Sequence, residues 1–209
     1  MPVDQRGTTA NTRVYVEEGK KSTFVVALDW PGWSRRGADE QTAVEALLAY
    51  ADRYARVAGP EFDVGHIEVV GRVTGTMTTD FGAPNVHGEW DNEPLRGDQL
   101  ERFADVWSAS WSYFDNVVAT SSPVLAKGPR GGGRDRDEVR DHVREAERRM
   151  AAKLGCRVAP RTPWPQQRAV ILGAFSGGSP GAIWPPRYAA RWGVWHILDH
   201  AWEIEDKRS

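Results

Sequence analysis

The sequence predicts an α+β fold, in which a small N-terminal β-β-α-β unit is followed by a C-terminal four-helix bundle. Three observations carry that expectation. The apolar run Phe24-Val25-Val26-Ala27-Leu28 follows a turn at Glu18-Gly19-Lys20, as the second strand of a hairpin does. Between Asp39 and Val57 the hydrophobic period changes from strand-like to helical. Beyond residue 97 the periodicity is helical almost throughout.

Val14 and Val16 flank Tyr15 in the first strand. The second strand runs into Asp29-Trp30-Pro31-Gly32-Trp33, where Pro-Gly forces a turn. Ala43, Leu47, Ala51 and Tyr54 then line one helical face, with Val44, Leu48 and Ala55 beside them, and Gly59-Pro60 stops the helix. Ile67 to Val73 reads as a further strand. Residues 74–97 are rich in Gly, Thr, Asp, Asn and Pro and read as a long connection. The domain boundary is expected near residue 93, with residues 1–92 as the first domain and connector and 93–209 as the second.

The first bundle helix, about 97–120, carries the stripe Leu100, Phe103, Ala104, Trp107, Trp111, Phe114 and Val118. A glycine-rich loop, 127–135, precedes a second helix with Val139, Val143, Ala146, Met150 and Leu154 on one face and Gly155 just past its end. A third begins at Pro165 and runs to about Phe175, and a fourth runs from Pro185-Pro186 to Glu205. Four helices of this kind fit a bundle. There is no internal repeat and no sustained heptad array.

Composition excludes several classes. The chain has 209 residues, 40% of them hydrophobic and 27% charged, which suits one large or two small globular domains. A net charge of −2 leaves no basic footprint for nucleic acid. No stretch approaches the roughly 20 apolar residues of a bilayer span, and the polar start MPVDQRGTTANTR has no signal-peptide pattern. The single cysteine, Cys156, rules out an intrachain disulfide framework or a Cys-rich zinc site, and fits a cytoplasmic location. As a small side chain after a helix-ending glycine it reads as inert. The ten tryptophans read as core filling.

The histidines carry the most chemistry. His196 and His200 stand at i and i+4 on the last helix, so their rings project from one face, one turn apart. His142 lies beside Val139, Val143 and Ala146 on the inward side of the second helix. Burying three imidazoles separately costs desolvation three times, whereas one divalent ion satisfies all three nitrogens. Neutral imidazole suits Zn, Ni, Fe or Cu, and three protein ligands leave open positions for water or substrate. Glu203, seven residues after His196, is a candidate general base, an orienting carboxylate or a solvated helix-end group; Asp199 and Glu145 are further candidates for orienting a ring N–H. Ile197 follows His196, so the H-E-x-x-H of zinc peptidases is absent. His66 and His87 read as structural or surface residues, and no Ser-His-Asp triad is legible.

Two segments carry a resemblance. Trp195-His196-Ile197-Leu198-Asp199-His200-Ala201-Trp202-Glu203 resembles the metal-binding helix of the DinB/YfiT-like superfamily. His142-Val143-Arg144-Glu145-Ala146-Glu147, followed by Lys153-Leu154-Gly155, resembles the helix that supplies that superfamily's first histidine. The likeness spans about 97–209. It implies a four-helix bundle holding one divalent ion, commonly Zn or Ni, through His142, His196 and His200. Characterised members of that superfamily include S-transferases and isomerases that use low-molecular-weight thiols such as mycothiol or bacillithiol, and others are hydrolases. In the N-terminal half, the strand Phe24–Leu28 with its Asp29-Trp30-Pro31-Gly32-Trp33 turn, then Thr42-Ala43-Val44-Glu45-Ala46-Leu47, resembles the HicB antitoxin-like unit over about 50 residues. HicB antitoxins usually add a helix-turn-helix or ribbon-helix-helix module, and neither is present here. A DNA-binding role is therefore disfavoured, and the unit is expected to serve as a partner-binding or dimerising module or as a lid over the bundle.

Lys127, Arg130, Arg134 and Arg136 surround three consecutive glycines before the second helix. Arg130 and Arg134 are candidates for gripping an anionic substrate, against the alternative of a solvated loop capped by Asp135 or Asp137. The G-K-[ST] ending of a P-loop is missing. Two function classes follow. One is a metal-dependent transferase or hydrolase acting on a small molecule; the other is a non-enzymatic interaction or regulatory module with a structural or vestigial metal site.

Overall fold

A computed structural model describes residues 11–128 and 132–208. Gly88 closes one compact unit and Glu89 opens a second.

In the first unit, β1 (Asn11–Glu18), β2 (Thr23–Ala27), β3 (Ser34–Gly37) and β4 (His66–Thr74) form one mixed sheet in the order β3-β2-β1-β4. The expected hairpin is β1 with β2, antiparallel, pairing Val14 with Ala27 and Val16 with Val25. The parallel partner β4 lies on the other side of β1, with a register shift between Val14 and Tyr15. The short strand β3 lies in a stretch where no strand was expected. Its sequence, Ser34-Arg35-Arg36-Gly37, has no apolar signal, and its place comes from pairing with β2. The single expected helix is two, α1 (Glu40–Ala49) and α2 (Ala51–Ala58), broken at Tyr50. Asp39 caps α1: its carboxylate accepts from Thr42 N–H at 2.9 Å, while Thr42 Oγ1 accepts from Asp39 N–H at 3.1 Å.

The Trp-Pro-Gly-Trp turn is fixed by aromatic packing. Trp33 stacks on Tyr54 at 5.9 Å, and Phe62 meets Trp30, Trp33 and Tyr54 edge-on at about 5 Å. Trp33 Nε1 donates to Leu47 O, and the Tyr54 hydroxyl donates to Pro31 O. The segment read as a long connection contains a short helix, α3 (Met77–Phe81). A buried carboxylate organises it. Glu17 accepts from Thr79 Oγ1 and from the backbone N–H groups of Asn85 and Val86.

In the second unit a 3₁₀ turn (Glu89–Asn92) leads to four helices: α4 (Asp98–Thr120), α5 (Arg136–Lys153), α6 (Trp164–Gly177) and α7 (Pro186–Asp206). Helix α7 packs on α4 and α5, and α6 packs on the same two helices. Phe103, Trp107, Phe114, Val139, Val143, Ile171, Leu198 and Trp202 are among the fully buried residues of this core. Gly193 sets how closely α7 approaches, because a Cβ there would lie 2.8 Å from both Trp107 Cζ2 and Met150 Sδ. Arg191 reaches across to Asp91 with its Nε at 2.9 Å, a buried ion pair that ties the 3₁₀ turn to α7. Gly155, with φ +77°, ends α5 as expected of a residue at that position. No helix among the described residues is long and apolar enough to cross a membrane.

Candidate metal centre

The second and fourth long helices of this unit bring three rings together. His142, one turn after Val139 on α5, and the His196/His200 pair on α7 place one ligating atom each within 4.8 Å of the others. His142 Nε2 and His196 Nε2 are 3.2 Å apart. The His200 ring lies 4.8 Å from His142 and 4.6 Å from His196, centroid to centroid.

Burial sets the state of two rings. It pushes His142 down to about 4, assisted by the charges of His200 and Arg134. It holds His196 well below its ordinary value, again with His200, His142 and Arg134 opposing a proton. Both imidazoles are neutral at neutral pH, the form that donates a lone pair to a metal. Tetrahedral Zn–N bonds of about 2.0–2.1 Å require nitrogens about 3.3 Å apart. The His142–His196 edge already meets that distance, and the remaining edges exceed it by at most about 1.5 Å, within reach of ring rotation. The donor set therefore fits a divalent ion.

Helix α7 supplies more than ligands. Trp192, one turn before His196, stacks on its ring at 5.0 Å and 14°. Glu203, one turn after His200, accepts at Oε2 from His200 Nδ1 over 2.8 Å, while its Oε1 accepts from Lys207 Nζ at 2.6 Å. Those two partners lower Glu203 to about 2, the His200 hydrogen bond being the largest cause. Of the roles open to Glu203, orienting a ligand is the one whose hydrogen bond is present. Neither Trp192 nor Lys207 stood out in the sequence, although Trp192 continues the i, i+4 row through His196 and His200 and Lys207 stands four residues after Glu203 on the same face.

The other candidates are placed as follows. Arg134 lies close enough for its charge to act on His142 and His196. Arg130 lies outside the described residues. Asp135 stands at the N-cap of α5, with its N–H donating to Glu138 and its carboxylate accepting from Lys127 at 2.6 Å. Glu145 is engaged by Arg148 and Arg149 rather than by a histidine. His66 and His87 are exposed and belong to the other unit. Burial raises the Cys156 thiol, whose Sγ donates to Ala151 O, so it is held as the unreactive thiol. Comparison with protein-family models, curated proteins and solved structures gave no match.

Proposed function

We propose that the chain is a metal-dependent enzyme of the DinB-like type, with His142, His196 and His200 as ligands to one divalent ion, Zn or Ni in the first place and Fe as a further candidate. The observation that carries the reading is the convergence of three imidazoles, two of them neutral, from α5 and α7 onto one point. Such an ion, when bound, supplies Lewis acidity that lowers the pKa of a coordinated thiol or water. The reaction class is S-transfer or hydrolysis on a small, anionic molecule, with a low-molecular-weight thiol as cosubstrate in the first case. In this reading Arg134, whose charge reaches His142 and His196, holds the anionic group, and Glu203 orients His200. Ile197 after His196 argues against peptidase chemistry.

The finer fold assignments belong to this reading. The second unit, with histidines on its second and fourth long helices, is read as a DinB-like bundle. The first, with β4 parallel to β1 after a helical crossover, is read as a HicB-like unit that engages a protein partner or a second copy. The unpaired thiol Cys156 accords with a cytoplasmic setting.

Metal analysis of the purified protein tests the centre. One Zn or Ni per chain is expected in the wild type and none in His196→Ala with its helical content intact. A metal-free wild type that takes up neither ion on titration would sink the proposal. A thiol-plus-electrophile assay then separates the reaction types, since turnover without thiol leaves only hydrolysis. Arg134→Ala should weaken binding of an anionic substrate while leaving metal content unchanged.

A further inference from the structure

The last two turns of α7 hold a chain of contacts that runs outward from the candidate centre. Lys207 Nζ donates to Glu203 Oε1 at 2.6 Å, and Glu203 Oε2 meets His200 Nδ1 at 2.8 Å. The spacing is i, i+3 and then i, i+4, so the three side chains stack along one face of the helix. Exposure rises outward, from 13% for the His200 side chain to 25% for Glu203 and 31% for Lys207. The carboxylate is thus gripped from both sides in a partly desolvated place.

From this geometry we infer that Lys207 and Glu203 are positioning residues for His200, acting as a relay that fixes its tautomer and ring orientation. The inference deepens the metal-centre reading and rests on it. With Nδ1 donating to Glu203, the His200 lone pair is on Nε2, the nitrogen left for an ion. The ionised carboxylate makes that nitrogen a stronger donor. Lys207 holds the carboxylate in the rotamer that reaches His200; without it, Glu203 at a helix end is free to turn to solvent. Helix α7 ends at Asp206, and the backbone of Lys207 is itself held, its N–H bonding to Glu203 O and its carbonyl accepting from Ala126 N–H at 3.0 Å. The root of the Lys207 side chain is therefore fixed, which lets the distal cation serve as an anchor.

A purely structural role makes a different prediction. A cation at a helix C-terminus stabilises the helix through its dipole whatever its side chain touches, and loss of that effect moves stability without moving metal affinity. The test measures Zn²⁺ affinity by chelator competition and the visible spectrum of the Co²⁺ form. The proteins are wild type, Lys207→Met, Lys207→Arg, Glu203→Gln and the control Lys127→Met. Lys127 opens the loop before α5 and pairs with Asp135. Loss of an outer partner of a ligand lowers metal affinity about 10–100-fold. We expect a weakening of about tenfold in Lys207→Met and Glu203→Gln with an altered Co²⁺ spectrum, near-recovery in Lys207→Arg, and no change in Lys127→Met. Wild-type affinity and spectrum in both Lys207→Met and Glu203→Gln overturn the relay and leave the metal centre standing. A wild-type protein that binds neither Zn²⁺ nor Co²⁺ overturns the centre, and the relay with it.

Discussion

Two polar clusters lie within the helical unit, and they are built on opposite plans. At Glu147 a buried carboxylate is saturated by its surroundings. Trp111 Nε1 donates to Oε1 at 2.9 Å, Trp164 Nε1 to Oε2 at 2.6 Å and Gln167 Nε2 to Oε2 at 3.2 Å, with Arg168 3.7 Å away. Two helices, α4 and α6, supply those partners to a carboxylate carried by α5. At the histidines, ring nitrogens from two helices lie within 4.8 Å of one another, and the neighbouring carboxylate, Glu203, engages His200 at Nδ1 rather than bridging the three rings. The first arrangement locks α4, α5 and α6 together. The second is what a site for an exogenous ion looks like. A buried carboxyl ringed by its donors serves the fold, whereas the converging ring nitrogens are the feature on which the proposed metal centre rests.

The difference can be broken by mutation, and the largest effect is expected at Glu147. Glu147→Ala leaves two indole N–H groups without their acceptor and the Gln167 amide with its bond to Arg144 O alone, at a cost of about 3–5 kcal/mol. Chemical denaturation measures it, and a loss under about 1 kcal/mol would mean that the cluster does not lock the helices. Next is Gly193→Ala, whose methyl meets Trp107 and Met150 and should cost about 1–3 kcal/mol unless α7 can shift outward. Because α7 carries two of the three histidines, the same change should lower metal uptake.

At the triad the expected pattern is reversed. In metal-free protein His142→Ala should cost about 1 kcal/mol or less, since what the half-buried ring gives up is its 3.2 Å contact with His196 Nε2. Excess metal at about 100 times its Kd should stabilise the wild type by about 2.7 kcal/mol and the variant not at all. An equal thermal shift in both proteins would place the ion elsewhere.

The smallest effect is a slope. Burial raises the Glu147 carboxyl above its ordinary value, against the opposing pull of Arg168 and of the Trp164, Gln167 and Trp111 hydrogen bonds. Between the ordinary carboxylate range and that raised value, the folded protein keeps a proton the unfolded chain has released. Stability therefore falls as pH rises through this window. Glu147→Gln has no proton to release. The stability advantage of the wild type over Glu147→Gln should thus shrink as pH rises above the ordinary carboxylate range, and a growing advantage would contradict the upward shift.

Much of this molecule was legible in the chain itself. The long helices announced themselves by apolar periodicity, and their ends by Gly155, Gly177-Gly178 and Pro185-Pro186, because period, caps and breakers are local physics. The i, i+4 spacing of His196 and His200 likewise fixes two rings on one helical face whatever surrounds them. Other features were not legible. Strand β3 has no apolar pattern and exists because β2 offers it an edge. Helix α3 sits in a polar connection and is held by a carboxylate about 60 residues upstream, Glu17 bonding Thr79. Nothing in the sequence said that Glu147 would gather donors from α4 and α6, or that His142 Nε2 would come within 3.2 Å of His196 Nε2. Which residues lie on which helix face is decided by nearest neighbours along the chain. Which faces meet, and therefore which charges are satisfied and which nitrogens are left to converge, is decided only when the helices pack.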